Sequence, residues 1–367
     1  MNKKFILPIA FSFFSSFAVS DANAYDQIIR PYQSVRSSGM GSVRITTGEY
    51  DENFFGNPAR VTANPTWRVQ LPDPMVETTF NTIGAASTLL GGDNLLANVA
   101  DQAGKNLHSR IQFTFPGAYF HTGWFSYAFA VITSIQTDVG IRKNFNVNPE
   151  ATADVGPAMT FGKEFLEETL SVGATVHATY RFSSPEGFGL TDVLQGVSLS
   201  PLKSAGDGSH IDFGVGSTYL MPGKPLGMDF TLGLSVNNVL GGAYRNLDVK
   251  FLDSSQAARR QRRAYNVGAS LATDELWIFD NFIGALELTD IGNNPDGSVF
   301  KLIHIGAEAE WGILIPRVGI NQGYWTAGLT IDLPVLDIEI ATYGEELTTN
   351  AGGLEDRRYA LRLNMSI

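Results

Sequence analysis

The chain has 367 residues, 26 basic and 37 acidic side chains, a formal charge of −11 and no cysteine. The acidic balance argues against nucleic acid as a partner, and the lack of cysteine means that the fold is stable without disulfides. Mean hydropathy is near zero, but 38 glycines and 24 phenylalanines suit a chain that hides its apolar residues by alternation.

Lys3 and Lys4 precede an apolar run from Phe5 to Val19, and Ala22-Asn23-Ala24 offers small residues at the two positions that a signal peptidase reads. Residues 1–24 are therefore expected to be a secretory signal cleaved before Tyr25. Pro8 and several serines make the run a poor membrane anchor. Without Lys3, Lys4 and Asp21 the remainder keeps 24 basic and 36 acidic residues, a net charge of −12. No later apolar run reaches the roughly 18 residues of a spanning helix.

Residues 25–64 show no strong period. Two groups stand out in them, Gly39-Met40-Gly41 and then Phe54-Phe55-Gly56-Asn57-Pro58-Ala59. The glycines permit positive φ and close backbone approach, and Pro58 holds Asn57 extended. An ordinary glycine and proline turn region would use the same residues. A Gly-Met-Gly turn followed by an aromatic pair and Asn-Pro-Ala also resembles the N-terminal plug of the FadL-type superfamily. That superfamily takes in long-chain fatty-acid transporters, PorV secretion components and TraF-like barrels of conjugation systems. The family usually continues with a second Gly pair and Ala-rich sequence, where Ser42-Val43-Arg44 stands here. This departure brings the chain nearer to the TraF-like and PorV-like members. By the resemblance, Gly39, Met40, Gly41, Phe54, Phe55, Asn57, Pro58 and Ala59 form the hatch.

Trp67, Val69 and Leu71 alternate with polar neighbours and predict a first strand, closed by Pro72 and Pro74. Residues 73–107 read as a helical loop insert, with Asp93 capping a helix that bears Leu95, Leu96, Val99 and Ala103 and closes at Gly104 and Lys105. From Ser109 a two-residue period takes over. Its longest case sets Leu170, Val172, Ala174, Val176, Ala178, Tyr180 and Phe182 against polar or small residues. Further rows run to Tyr359, Leu361, Leu363, Met365 and Ile367. The count is about fourteen strands, an even number as single-chain bacterial barrels have.

The connectors alternate in length. Counted back from a C-terminus in the periplasm, the outer loops fall near 345–356, 321–323, 291–299, 240–262, 184–207, 140–153 and the insert, and all but 321–323 are long. The inner turns are short. Outer-membrane barrels have this asymmetry, whereas a soluble sandwich has no physical reason for it. The expected fold is all-β, a transmembrane antiparallel barrel over 65–367 with an N-terminal plug over 25–64, in a bacterial (Gram-negative) outer membrane.

No Gly-x-Ser-x-Gly elbow, His-Glu-x-x-His site, phosphate loop or EF-hand loop occurs. Neither an enzyme nor a metal or cofactor site is expected, and His177 and His304 read as hydrogen-bonded lumen fillers. Parity places Glu287, Glu308, Glu310, Arg317, Asp332, Asp337, Glu339 and Arg362 on inward faces, where mixed signs would pair and fill the interior. Arg317 and Arg362 are the expected hubs, because a guanidinium can hold two carboxylates. Loop 240–263 carries Arg259, Arg260, Arg262 and Arg263 and a local charge of +4, which suits either a solvated loop or lipopolysaccharide phosphates. The resemblance implies passage of small hydrophobic compounds by lateral diffusion through a kinked wall. The alternative within the superfamily is a non-transporting PorV-like or TraF-like barrel that binds a partner protein for secretion or conjugation, and the insert at 73–107 favours it by adding rim surface.

Overall fold

The computed structural model describes residues 30–64, 67–91, 104–122, 125–141, 147–184, 206–245, 247–249, 251, 258–292, 298–348 and 351–367. The expected signal segment lies outside them, as does the helix expected from Asp93 to Ala103.

One antiparallel sheet closes on itself. The strands are β1 (Arg68–Gln70), β2 (Met75–Thr79), β3 (Asn106–His121), β4 (Ser126–Ile141), β5 (Val147–Phe165), β6 (Leu170–Ser183), β7 (Gly206–Leu220) and β8 (Asp229–Asn237). They continue with β9 (Ala264–Leu276), β10 (Phe279–Ile291), β11 (Ile303–Glu310), β12 (Leu314–Asn321), β13 (Tyr324–Asp332), β14 (Leu336–Glu346) and β15 (Glu355–Met365). From β2 to β15 each strand pairs with its chain neighbour, and β15 meets β2 through Arg358↔Thr79 to Arg362↔Met75. The result is a closed barrel of 14 strands, β2 to β15, with β1 as an extra piece. Closure leaves no open edge, the condition for a sheet to stand in lipid.

The alternation sets the two faces. Val318, Leu361 and Ile305 are exposed on the outer face, while Arg317, Arg362 and His304 beside them are buried inside. Across three strands Val76, Leu361 and Ile340 lie in register on the outer surface.

β1 and β2 are two halves of one wall strand. Arg68–Gln70 pairs with Tyr119–Gly117 and Met75–Thr78 with Gln112–Ser109, so both halves keep one register against β3. Pro72 and Pro74 have no N–H, so the ladder is interrupted at 71–74. The Asp73 side chain accepts from the Thr114 amide instead, and β15 bridges the break through Leu71 N to Met365 O (2.9 Å) and Leu363 N to Pro74 O (3.0 Å). Opposite the break, the β3–β4 register shifts between Thr114 and Gly117. Two corrections follow. The prolines interrupt the first strand rather than close it, and the segment 73–107 is not all insert, because β2 occupies Met75–Thr79 and β3 starts at Asn106. A helix, α2 (Phe80–Gly91), opens directly after β2.

At the rim where the chain ends, the connectors include 277–278, 311–313 and 333–335; at the opposite rim they include 80–105, 184–205 and 238–263. The connector expected at 140–153 is cut to 142–146, because β4 and β5 extend past Asp138 and Glu150.

Residues 30–64 run inside the ring. Ser34 accepts from Ser37 N (3.0 Å) and caps α1 (Val35–Gly39). Two short 3-10 helices follow, Tyr50–Phe54 and Pro58–Ala63; the second starts with Pro58 behind an Asn57 cap. Tyr32, Met40, Val43, Ile45 and Phe54 are at most 1% exposed, so this segment and the inner wall together make the core.

Candidate functional site

The lumen is occupied by residues 30–64, and two glycine-lined seats position them. On β11–β13, a Cβ on Gly306 would stand 2.0 Å from Met40 O, and one on Gly39 would stand 2.7 Å from Gly328 Cα. Gly41, with φ +69°, turns the chain there; its amide donates to Thr326 Oγ1 (2.9 Å), and its carbonyl lies 3.0 Å from His304 Nδ1. On β6 and β7, a Cβ on Gly173 would stand 2.4 Å from Pro58 C, and one on Gly216 would stand 2.0 Å from Asn57 Oδ1. Asn57 donates to Ile45 O (2.9 Å) and Ser217 O (3.1 Å), and Asn237 donates to Phe55 O (2.9 Å). Thus Gly39, Met40 and Gly41 rest on one wall, and Asn57, Pro58 and Ala59 on another. Phe54 and Phe55 join Tyr32, Tyr119 and Ala158 in an apolar cluster.

Charge ties the same segment to the wall. Arg36 makes a fork to Glu308 (3.0 and 2.7 Å) and also reaches Glu52 (2.9 Å). Arg317 donates to the same Glu308 carboxylate and to Thr330 Oγ1 (2.6 Å). Arg362 donates to both Asp51 and Asp73 and lies 3.8 Å from Glu339. Arg30 joins Asp290 (2.8 Å) and Glu345 (3.2 Å). Glu287 takes three consecutive amides, from Arg44 (2.8 Å), Ile45 (2.7 Å) and Thr46 (3.1 Å). Burial and neighbouring carboxylates act on Arg36 in opposite directions; the net effect of Glu308, Glu49 and Glu52 holds it well above the usual arginine range.

Of the eight inward charges expected from parity, the structure brings Glu308 to Arg317 and Glu339 to Arg362. Glu287 serves backbone amides. Glu310 accepts from Asn281 (2.7 Å), Asp337 pairs with Arg68 (3.0 Å) and Asp332 is exposed near the C-terminal rim. Arg317 reaches one carboxylate, and besides Arg362 the guanidinium groups shared between carboxylates include Arg30, Arg36 and Arg358 rather than Arg317. Sequence reasoning passed over Arg36, Asp51 and Asp73. The available signal was the set of inward-facing wall glycines, which mark close backbone approach.

A further buried cluster lies on the wall beneath α2. His108 bonds Asp138 (2.7 Å) and Glu77 (2.6 Å), and Tyr343 donates to Glu77 (2.7 Å). His108, Asp138 and Asp356 bring potential ligand atoms within 4.8 Å of one another. Arg358 supplies a cation there, with Nε 2.9 Å from Asp356 and Nη2 3.6 Å from Asp138. His177 packs on Phe55 with ring centroids 5.1 Å apart.

Two described stretches of the loop, 238–245 and 258–263, lie over the mouth. Arg181, fully buried, forks onto Asp154 (2.6 and 2.8 Å), lies 4.6 Å from the Tyr244 ring centroid and donates to Arg259 O (3.2 Å). Arg259 also pairs with Glu150, Arg263 donates to Val239 O, Asn238 donates to Arg262 O (3.1 Å), and Arg260 is exposed.

A closed 14-strand antiparallel barrel is the architecture of an outer-membrane β-barrel fold. No family model matches the sequence, and no curated protein matches it. Among solved structures, the TodX monoaromatic hydrocarbon channel superposes in two mutant forms. The deltaS2 form gives a TM-score of 0.50 at 13% identity, covering 92% of this chain and 97% of that one. The deltaS2S3 form gives 0.50 at 12%, covering 91% and 98%. The Ralstonia pickettii toluene transporter TbuX gives 0.49 at 11%, covering 90% and 96%. The fold is that of the FadL-family hydrocarbon channels.

Proposed function

We propose that the chain is a bacterial outer-membrane barrel, exported by the signal at 1–24, that passes small hydrophobic compounds, with residues 25–64 as its plug. The observation that carries this reading is a filled lumen beside an interrupted wall. With the axial route occupied, an apolar molecule leaves sideways, and the wall lacks its backbone ladder to β3 at 71–74. The neighbour with the same fold is named for monoaromatic hydrocarbons, which fits cargo of that size and polarity. The chain is read as a channel and not as an enzyme, with no cofactor. The C-terminal rim faces the periplasm, and loop 238–263 presents Arg260 and Arg263 to lipopolysaccharide phosphates at the other rim.

A flux assay on the protein in liposomes tests the reading. Labelled toluene should equilibrate faster than in empty liposomes, and a sugar of similar mass should not. Equal acceleration of the sugar would indicate an open aqueous pore and would sink the proposal.

One observation favours the second reading, a PorV-like or TraF-like barrel that holds a protein partner. α2 stands at the outer rim with Phe80 and Ile83 66% and 57% exposed. Stoichiometric co-purification of one protein, lost in Phe80→Ser, would shift the assignment to it.

A further inference from the structure

The inner side of the wall break carries hydroxyls that no described residue bonds. Thr114 and Tyr119 are fully buried, and among the described residues neither Thr114 Oγ1 nor the Tyr119 hydroxyl has a hydrogen-bond partner, nor has the hydroxyl of the buried Tyr32. Both project inward from β3, on either side of the irregularity between Thr114 and Gly117. The Tyr119 hydroxyl lies 3.6 Å from where a Cβ on Gly117 would stand. Its ring is therefore laid back along the strand over Gly117, toward Thr114. The Thr114 amide, in turn, is held by Asp73 at the break itself. Thr114 Oγ1 and the Tyr119 hydroxyl, without partners among the described residues, thus sit at the place where the wall is discontinuous, and such groups are uncommon enough in native interiors to need an explanation.

The surroundings restrict what could satisfy them. Tyr32, Phe54 and Phe55 pack with Tyr119 against Ala128, Ala130 and Ala158, a set of rings facing small wall residues. Aromatic faces opposite methyl groups favour a flat apolar body. Arg362 is already shared by Asp51 and Asp73, and Arg68, which faces Tyr119 across the ladder, is paired with Asp337, so an ionised carboxylate entering here would meet carboxylates and, among the described residues, cations that are already paired. A bare hydrocarbon would leave both hydroxyls unbonded. From this juxtaposition we infer that the lumen side of the break binds a neutral aromatic molecule carrying one hydrogen-bonding substituent, of the phenol or aryl alcohol class. The ring lies in the Tyr32–Phe54–Phe55 cluster, and its oxygen bonds the Tyr119 hydroxyl and Thr114 Oγ1. The inference rests on the reading of the barrel as a passage for small hydrophobic compounds and narrows the cargo.

Equilibrium dialysis of the full chain in detergent, against empty micelles, tests it with labelled 4-methylphenol and labelled toluene, which differ by a single hydroxyl. The wild type should retain 4-methylphenol about tenfold more than toluene, the scale of one net hydrogen bond. Tyr119→Phe and Thr114→Val, near-isosteric and checked for folding by heat-modifiable migration, should each erase most of that preference and leave toluene retention unchanged. Equal retention of both compounds by the wild type, or a parallel fall of both in the variants, would overturn the inference and leave hydrophobic passage standing. Retention of neither compound above empty micelles would overturn both.

Discussion

Arg362 on the last strand donates to Asp51 of the N-terminal segment, across 311 residues of sequence. The same guanidinium holds Asp73, which sits where the first wall strand is interrupted. Seam, break and lumen segment therefore share one cation. Removing it leaves two buried carboxylates facing each other, which is more costly than the loss of the pair itself.

Arg362→Ala should lower the unfolding free energy by about 3–5 kcal/mol and raise leak conductance in planar bilayers. Arg317→Ala should cost less, about 1–2 kcal/mol, because Arg36 still neutralises Glu308. Urea midpoints and single-channel recordings report both quantities. A wild-type midpoint and quiet bilayers for Arg362→Ala would mean that the cation does not hold the segment.

The glycine seats give an independent handle. Gly306→Val and Gly173→Val put side chains into Met40 and Pro58, and overpacking of this kind costs about 1–3 kcal/mol each. The barrel should still close while the segment lifts, so trypsin should cut at Arg36, Arg44 and Arg60 in the variants and spare them in the wild type. Gly84→Ala, where an added Cβ would meet no atom within 4 Å, is the control and should behave as wild type. Equal protection in all three variants would show that the seats are loose.

These residues also show where the sequence was legible. Strand parity could be read because each wall residue meets either an apolar solvent or a polar interior, so Glu308, Glu339 and Arg362 fell on the inner face by alternation alone. Their partners could not be read, since Arg36 reaches Glu308 across 272 residues and no local spacing encodes that meeting. Pro72 and Pro74 were legible as the end of a ladder, but a single sequence does not say that β2 resumes in the same register, a result that depends on β3 and β15 holding both halves. In loop 240–263 composition gave the charge, whereas the anchoring of Arg259 by Glu150 depends on how far β5 extends.

Arg181 holds that loop over the mouth. Arg181→Met would free Tyr244 and the 258–263 stretch and leave Asp154 buried without its counter-ion, a loss of about 3–5 kcal/mol. Trypsin should then cut after Arg259 to Arg263 at least about tenfold faster in detergent, as expected when a loop is freed to open locally. Asp154→Asn in the same chain should recover part of the stability, because no unpaired charge remains, while the loop stays cleavable. Unaltered cleavage would place the restraint elsewhere in the loop.

The outer surface yields the test that separates a lipid solvent from water. Leu361 lies in register between Ile340 and Val76, and all three point outward at 45%, 46% and 50% exposure. In water an exposed leucine tolerates arginine with a change within about 0.5 kcal/mol. In a bilayer the same change near the midplane costs about 2–4 kcal/mol, falling toward zero at the interfaces. Leu361→Arg should therefore lower stability markedly when unfolding is measured in lipid vesicles, and Leu361→Phe should not. Trp277→Arg, at a hairpin tip of the C-terminal rim and 93% exposed, should cost under about 1 kcal/mol because the headgroup region tolerates charge. Equal effects at Leu361 and Trp277 would contradict a depth profile, and with it the assignment of the outer face to lipid.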